Sequence, residues 1–345
     1  MFGTVYDRFG INKKADQMRR YIPTVLLFLA ISFQTFAMGH EDVRQNMQIT
    51  YYDQLDNIVK EVRCYSDKKA SRLKYLKTIS HYEPNGDMTH LETYFTDDKS
   101  KRTGDFRRSQ FFNREGKPVR IEAYHNQKKI KKDKIFKSIS YLDEQGKVDR
   151  IERFSTEGKL RKSLVQKTVD RLGIDGRVVQ SVTYYVADPD NSRPLYRKIV
   201  DFDGKGEKTR LTTHYLNQES NELGYYKSIF SYNKGLKKEK EEWFMTDEFK
   251  RDKQIEKMTF YFDTHGIKTK QEVFPTELGA QRLGVKRTIF FYTRNGAKIK
   301  MIRFYTPETY VQKGYFKGIT SFGPNEVAVK EEIYDDKNKL VELIE

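Results

Sequence analysis

The chain has 345 residues, of which 33% are charged, and it carries a formal net charge of +16. Its single cysteine, Cys64, excludes an internal disulfide framework, and beyond residue 39 no stretch is apolar enough to span a membrane as a helix. The basic surplus favours anionic partners without naming one.

Residues 1–39 predict an N-terminal extension followed by a signal peptide. Arg19 and Arg20 precede the apolar run 22–36, and Ala37 and Gly39 form the small-x-small pattern of a cleavage site. An uncleaved anchor helix is the alternative, but the run is short and contains polar residues. We therefore expect an exported protein, periplasmic or extracellular, without an integral membrane span after cleavage.

The rest of the chain, 40–345, is predicted to be a single array of repeats. From Ile49 onwards the sequence repeats every 30 residues about ten times, and we number the positions of each repeat from Ile49, Ile79 and their equivalents. Positions 4 and 16 are aromatic in most repeats. A fixed period of this kind is typical of a quasi-one-dimensional array whose units bury apolar surface against their neighbours.

Each repeat has the pattern of a β-hairpin. In the fourth repeat the strand-like runs 135–142 and 148–154 flank a short turn that contains Gly146, and glycine recurs at this position. A polar connection of about eight residues, which we expect to be a loop, leads to the next hairpin. The predicted fold is all-β: tandem 30-residue hairpins forming about 20 antiparallel strands in one continuous, twisted or spiralling meander sheet.

An uninterrupted register is predicted from the turn outwards. It places Ser140 opposite Arg150 and Phe136 opposite Phe154. The same register puts the aromatic positions 4, 16 and 28 on one face of the sheet and the aliphatic positions 1 and 13 on the other.

The turn segments 141–147 and 262–266 resemble the aromatic-Asp-x-x-Gly core of YD repeats, which occur in Rhs-type shells. The likeness covers the turn of each repeat and not its whole length, and the aspartate is found only at Asp53, Asp143, Asp203 and Asp263. The resemblance implies stacked hairpins in a spiralling sheet and an extracytoplasmic location. It transfers no catalytic residue.

Enzyme signatures are not found in the sequence. The six histidines lie in different repeat positions or outside the array, without ligand spacing, so we expect no metal site, no cofactor and no catalytic residue. Glutamates that recur at position 14 predict a ladder of cross-strand ion pairs, for example between Arg108 and Glu122. An enzyme with its site in a long loop or a sheet-lined tunnel is the alternative.

Positions 12 and 29 are basic in most repeats. In the uninterrupted register they lie on opposite faces, and each forms a positive rail whose members are about 9.6 Å apart. The candidate polyanion-binding residues are Arg107, Lys137, Lys167, Arg197, Lys227, Lys257, Arg287 and Lys317 at position 29, with Lys128, Lys129, Lys131 and Lys132 in one connecting loop. The alternative is a solvated face whose lysines prevent strand-to-strand aggregation.

We therefore expect an exported, non-enzymatic repeat scaffold that binds an anionic polysaccharide, lipopolysaccharide or another envelope component through the basic rails. The alternative is a structural component of a larger extracytoplasmic assembly, formed when its edge strands pair with other β-proteins. Salt-dependent retention on a polyanion favours the first hypothesis, and association of the purified protein favours the second.

Overall fold

The computed structural model describes residues 45–186 and 195–345. The predicted signal peptide, residues 1–39, lies outside the described residues. Residues 46–345 form one compact unit, and its strands belong to a single continuous sheet.

Every strand pairs antiparallel with the strand that follows it in the chain, so the sheet is a meander. Within the described residues, β1 pairs only with β2 and β21 only with β20, which leaves the sheet unclosed. The all-β hairpin fold is therefore confirmed. The strands are β1 (Met47–Tyr52), β2 (Ile58–Cys64), β3 (Tyr75–Tyr82), β4 (Met88–Phe95), β5 (Asp105–Phe112), β6 (Pro118–His125), β7 (Ile135–Leu142), β8 (Val148–Ser155), β9 (Val165–Leu172), β10 (Val178–Tyr185), β11 (Leu195–Phe202), β12 (Lys208–Tyr215), β13 (Tyr225–Tyr232), β14 (Lys238–Met245), β15 (Ile255–Phe262), β16 (Lys268–Pro275), β17 (Val285–Tyr292), β18 (Lys298–Tyr305), β19 (Lys317–Phe322), β20 (Ala328–Tyr334) and β21 (Leu340–Ile344).

The connections between hairpins are short helices, where the sequence predicted loops. Within residues 45–186 and 195–345 they are α1 (Asp67–Leu73), α2 (Asp97–Thr103), α3 (Gln127–Asp133), α4 (Glu157–Ser163), α5 (Asn217–Leu223), α6 (Asp247–Lys253), α7 (Glu277–Leu283) and α8 (Pro307–Lys313). The Thr156 hydroxyl caps α4 by accepting a hydrogen bond from the Lys159 N–H, and Leu164 ends it in the left-handed conformation. In the same part of the chain no helix is long and apolar enough to cross a membrane.

The hairpin turns form as the sequence predicts. Asp143 Oδ1 accepts hydrogen bonds from the backbone N–H groups of Gln145 and Lys147, at 3.0 and 2.8 Å. Gly146 then adopts a φ of +79°, a conformation that costs glycine little and other residues more. The short polar side chain and the glycine together fix the bend.

Beside the turn, the pairing of β7 with β8 is interrupted, because β8 has one extra residue at this point. The extra residue, Asp149, separates Val148 from Arg150, and the pairing shifts by one from there on. Arg150 consequently faces Tyr141 and not Ser140, so the uninterrupted register was wrong. Such a β-bulge leaves one residue unpaired and changes the face to which the following side chains point.

A second bulge lies at the other end of the hairpin, on β7. Lys137 faces Phe154, and Phe136, which was predicted in that place, is the extra residue. The two aromatic rings still touch, with centroids 6.4 Å apart. The two-bulge pattern recurs in most of the other hairpins.

The bulges decide which positions share a face. One face of the sheet, here called face A, carries positions 29, 1 and 3 of one strand and positions 12, 14 and 16 of the next. Positions 30, 2 and 4 share the other, face B, with positions 13 and 15. The predicted sorting was therefore wrong, because the aromatic positions 4 and 16 lie on opposite faces, and so do the aliphatic positions 1 and 13.

A buried strip runs along the centre of face A, across the strands. It consists of positions 1 and 14, and the long side chains at positions 3, 12, 16 and 29 flank it on both sides. Its buried members include Ile79, Ser109, Ile139, Val169, Ile229, Thr259 and Ile289 at position 1, and Glu122, Val182, Thr212 and Glu272 at position 14.

Candidate functional site

Both basic positions of the repeat lie on face A, so the prediction of rails on opposite faces was wrong. Lys137, at position 29, contacts Glu122 Oε2 at 2.7 Å, and Arg120, at position 12, approaches Glu122 Oε1 at 3.5 Å. The predicted partner Arg108 instead contacts Asp105 at 3.1 Å. The same arrangement, a glutamate between a cation of its own strand and one of the next strand, is found at Glu122, Glu152, Glu242 and Glu272.

The same ion pairs recur along face A. Five of the eight candidate residues at position 29 contact a glutamate at position 14: Arg107 with Glu92 at 3.4 Å, Lys137 with Glu122 at 2.7 Å, Lys167 with Glu152 at 3.3 Å, Lys257 with Glu242 at 2.6 Å and Arg287 with Glu272 at 2.9 Å. These five cations have partners within the protein, which reduces the positive charge that they offer to a ligand.

Three glutamates of this ladder, Glu122, Glu242 and Glu272, are held in the charged form. Burial raises the pKa of Glu122, but hydrogen bonds from Lys137 and Tyr124 outweigh burial, and the pKa lies below its ordinary value. The pKa of Glu242 and that of Glu272 are lowered in the same way, against burial, by the lysines and the arginine beside them. The ion pairs are therefore intact at neutral pH.

Aromatic rings lie beneath many of the cations on face A. The Arg120 guanidinium is 3.7 Å from the centre of the Phe111 ring, and that of Arg107 is 3.8 Å from the Tyr124 ring. Contacts of this kind contribute about 0.5–1 kcal/mol each at exposed sites. They fix the long side chains in place without neutralising their charge.

Three candidate residues at position 29 have an uncharged neighbour at position 14. Arg197, Lys227 and Lys317 belong to repeats that carry a valine, a threonine and an isoleucine there, namely Val182, Thr212 and Ile302. Among the described residues, no carboxylate oxygen lies within 4.0 Å of the charged side-chain nitrogens of these three residues. The Lys317 ammonium donates a hydrogen bond to Asn338.

Arg197, Arg210 and Lys227 form what we call the central patch, on the neighbouring strands β11, β12 and β13 of face A. His214 lies between them, with Nε2 3.2 Å from an Arg197 nitrogen. Burial lowers the pKa of His214, and the charges of Arg197 and Lys227 lower it further. Asp201, which faces Arg210, accepts a hydrogen bond from the side chain of Gln180.

The lysine-rich segment predicted as a loop is helix α3, at the margin of the sheet. Lys128, Lys131 and Lys132 are exposed on it. Lys129 is half-buried, and its ammonium lies 3.4 Å from Asp105 Oδ1, which is also 2.8 Å from His125 Nδ1. The exposed lysines belong to a surface separate from face A, because the helices lie beyond the strand ends.

Face B has a groove of about 430 Å³ beside helix α7. Its lining is mainly apolar and includes Val273, Pro275, Leu283 and Tyr305. The one arginine in the lining, Arg303, contacts Glu331 at 2.9 Å. The lining also includes the exposed Lys253, so the groove offers apolar surface and two cations, one of them neutralised, rather than paired acids and bases.

Two histidines that the sequence seemed to separate are direct neighbours on face A. His81 is at position 3 and His90 at position 12, and the bulged register places them opposite each other on β3 and β4. Spacing along the sequence, from which no ligand set was predicted, therefore does not show that these two histidines are neighbours. The His81–His90 pair becomes apparent only when the bulges are included in the register.

Comparisons with known proteins add little to this description. No family model matches the chain, and no curated protein matches it either. Among solved structures, it is similar to a porin-like protein from Bacteroides uniformis ATCC 8492, at 9% identity and a TM-score of 0.18, covering 74% of this chain and 92% of that one.

The TcdB2-TccC3 and TcdB2-TccC3-Cdc42 structures match 87% of this chain at 10% and 12% identity, each with a TM-score of 0.12. This chain covers only 19% and 20% of their length. At such TM-scores these likenesses carry no argument. The resemblance to YD repeats rests on the turn motif alone.

Proposed function

We propose that the exported array is a non-enzymatic scaffold that binds a linear anionic polymer of the cell envelope, a polysaccharide or lipopolysaccharide, through the central patch. The observation that carries the proposal is the loss of the position-14 carboxylate beside Arg197 and Lys227, while flanking repeats retain it. Cations that are paired with a glutamate stabilise the sheet, and cations without a carboxylate partner are available to a ligand.

The geometry suits a chain of regularly spaced anionic groups. Arg197 and Lys227 occupy equivalent positions of consecutive repeats, two strand spacings or about 9.6 Å apart. Arg210 is exposed on the strand between them. Lys227 lies over the Phe244 ring at 4.7 Å, which orients its ammonium without cancelling its charge. Fixed cations beside aromatic rings are a common surface for linear polyanions.

The proposal is tested by measuring heparin affinity as a function of salt concentration. We expect the double variant Arg197→Gln/Lys227→Gln to bind about tenfold or more weakly, because each lost contact costs on the order of 1 kcal/mol. The slope of log affinity against log salt should fall by about one for each contact removed. Purified lipopolysaccharide is the second probe.

A charge-matched control is available at the turns. Lys147→Gln/Lys205→Gln removes the same two charges from exposed turn positions. We expect it to retain the affinity and the salt slope of the unmodified protein. Equal weakening by both double variants would mean that net charge alone attracts the polymer, and unchanged binding by the central-patch variant would reject the proposed surface.

A second candidate function, assembly through the sheet edge, is favoured by the last strand. Within the described residues β21 pairs on one side only, and its apolar side chains are largely exposed: Leu340, Val341, Leu343 and Ile344 at 46–48%. An open apolar edge strand is a template for pairing with another β-strand. We propose that it pairs with an edge strand of a second copy.

Sedimentation at several protein concentrations tests this second proposal. We expect concentration-dependent association, and we expect Val341→Lys with Leu343→Lys to abolish it, because inserted charges block edge pairing. A protein that sediments as a monomer at all concentrations would reject the edge as an assembly surface.

A further inference from the structure

The second repeat differs from the others in one cross-strand pair of face A. Positions 3 and 12 face each other, and in several repeats they hold an aromatic ring under a cation, as in Arg150 over Tyr141 and Lys270 over Tyr261, both at 3.7 Å. In the second repeat both members of the pair are histidine, at positions 81 and 90. The cation and the ring are therefore replaced together by two imidazoles.

The two imidazoles and one carboxylate converge. The rings of His81 and His90 stack with centroids 4.9 Å apart, and His81 Nε2 lies 3.7 Å from Glu92 Oε1. One potential ligand atom from each of the three residues lies within 4.8 Å of the others. Both Nε2 atoms are buried and have no hydrogen-bond partner. An unsatisfied buried nitrogen costs free energy that a bound ion would recover.

The carboxylate of Glu92 is already oriented. Its Oε2 accepts a hydrogen bond from the Tyr94 hydroxyl at 2.9 Å and from Arg107 at 3.4 Å. These contacts occupy one oxygen and leave Oε1 facing the imidazoles. Hydrogen bonds of this kind fix the geometry of metal ligands and tune the affinity of the site.

We propose that His81, His90 and Glu92 bind a divalent transition-metal ion of the zinc type. Two imidazole nitrogens and a carboxylate are ligands that such ions prefer, at about 2.0–2.2 Å. On binding, the three atoms would move together, and the two rings, now 14° from parallel, would rotate out of their stack so that both Nε2 lone pairs point at the ion. The His81 side chain is 34% exposed, which leaves a path from solvent. This site is independent of polymer binding by the central patch.

The test is a calorimetric titration of tag-free protein with zinc chloride. We expect one ion per chain. The variant His81→Tyr/His90→Arg restores the pair found at Tyr141 and Arg150, so it should fold, and it should weaken zinc binding by about a hundredfold or more. Tyr94→Phe, which removes the shorter of the two hydrogen bonds to Glu92 Oε2, should weaken binding by about tenfold.

The control is His265→Asn, which removes an exposed turn histidine that lies outside the cluster. It should bind zinc like the unmodified protein. The absence of stoichiometric binding to the unmodified protein would overturn the proposal. Equal affinity in the His81→Tyr/His90→Arg variant, or an equal loss in His265→Asn, would overturn it as well, because either result places the zinc elsewhere.

Discussion

Along face A the same local arrangement recurs: a buried glutamate lies beside one or two cations. Glu272 shows it most fully: its side chain is 6% exposed and lies 2.9 Å from both Lys270 and Arg287. Burial of a carboxylate is unfavourable, and only the two cations make it tolerable. The glutamate therefore contributes to stability while it is ionised.

This coupling gives the free energy of unfolding a defined pH dependence. Burial raises the pKa of Glu272, but Lys270 and Arg287 lower it more, so the folded pKa lies below the unfolded value of about 4.3. The stabilisation is complete above the unfolded pKa and is lost as the pH falls through the folded pKa. We expect the denaturation midpoint to fall steadily as the pH is lowered from about 5.

The variant Glu272→Gln tests the assignment at one residue. At pH 7 we expect it to lower the free energy of unfolding by about 1–3 kcal/mol, because it leaves two cations without a charged partner. Below the folded pKa the difference from the unmodified protein should shrink. Glu157→Gln, at a side chain that is 74% exposed, is the control and should change little. A pH-independent difference for Glu272→Gln would contradict the account.

At the scale of elements, six of the described helices (α2, α3, α4, α6, α7 and α8) begin with a backbone hydrogen bond to the residue that ends the preceding helix. The backbone N–H of Thr276, at the start of α7, donates to the carbonyl oxygen of Gln254, at the end of α6, at 2.9 Å. Gly279 in α7 is buried against the same carbonyl. Within residues 45–186 and again within 217–313, consecutive helices are thus linked along one margin of the sheet, and their packing limits side-chain size at particular positions.

Two helical glycines provide a matched test of this packing. A Cβ atom at Gly279 would lie 2.7 Å from the Gln254 carbonyl oxygen, whereas a Cβ at Gly158 in α4 would meet nothing within 4 Å. We expect Gly279→Ala to lower the free energy of unfolding by about 1–3 kcal/mol, and Gly158→Ala to raise it by up to about 1 kcal/mol. Thermal unfolding of both variants measures the difference. Similar effects of both substitutions would contradict the packing described.

The sequence predicts the hairpins well because their signals are local. A strand-like run, an aspartate and a glycine at positive φ specify the bend at Asp143 and Gly146, and other turns keep part of this signal. The seven-residue helices were missed because they are too short to show an apolar period and depend on caps such as Thr156.

The site was predicted only in part, because its arrangement depends on the two bulges. Asp149 and Phe136 are ordinary strand residues, and nothing in their identity shows that each is left unpaired. A shift of one residue changes the face of every side chain after it. The His81–His90 pair was therefore not foreseen, although the missing glutamates at Val182 and Thr212 are visible in the sequence alone.

On the scale of the whole molecule, each described strand pairs only with the strands next to it in the chain, so stability is expected to spread along the array rather than reside in one core. The strand β21 has five residues and, within the described residues, one partner, whereas β13 lies between β12 and β14. Local opening should therefore be easiest at that end.

Hydrogen exchange measured by mass spectrometry tests this gradient. We expect amides of β21 to exchange at least about tenfold faster than those of β13, since a difference of 1.4 kcal/mol in opening free energy is a factor of ten. Equal protection in the two strands would show that the array unfolds as a single cooperative unit.

The bulged register is the claim on which face A, the central patch and the histidine pair all depend. Disulfide trapping tests it directly in protein that carries Cys64→Ser. Directly opposed residues have Cβ atoms about 4.5–5.5 Å apart, close enough for a disulfide after a small adjustment. We expect Tyr141→Cys with Arg150→Cys to cross-link readily on oxidation, and Ser140→Cys with Arg150→Cys to remain reduced. The reverse result would restore the uninterrupted register and contradict the account.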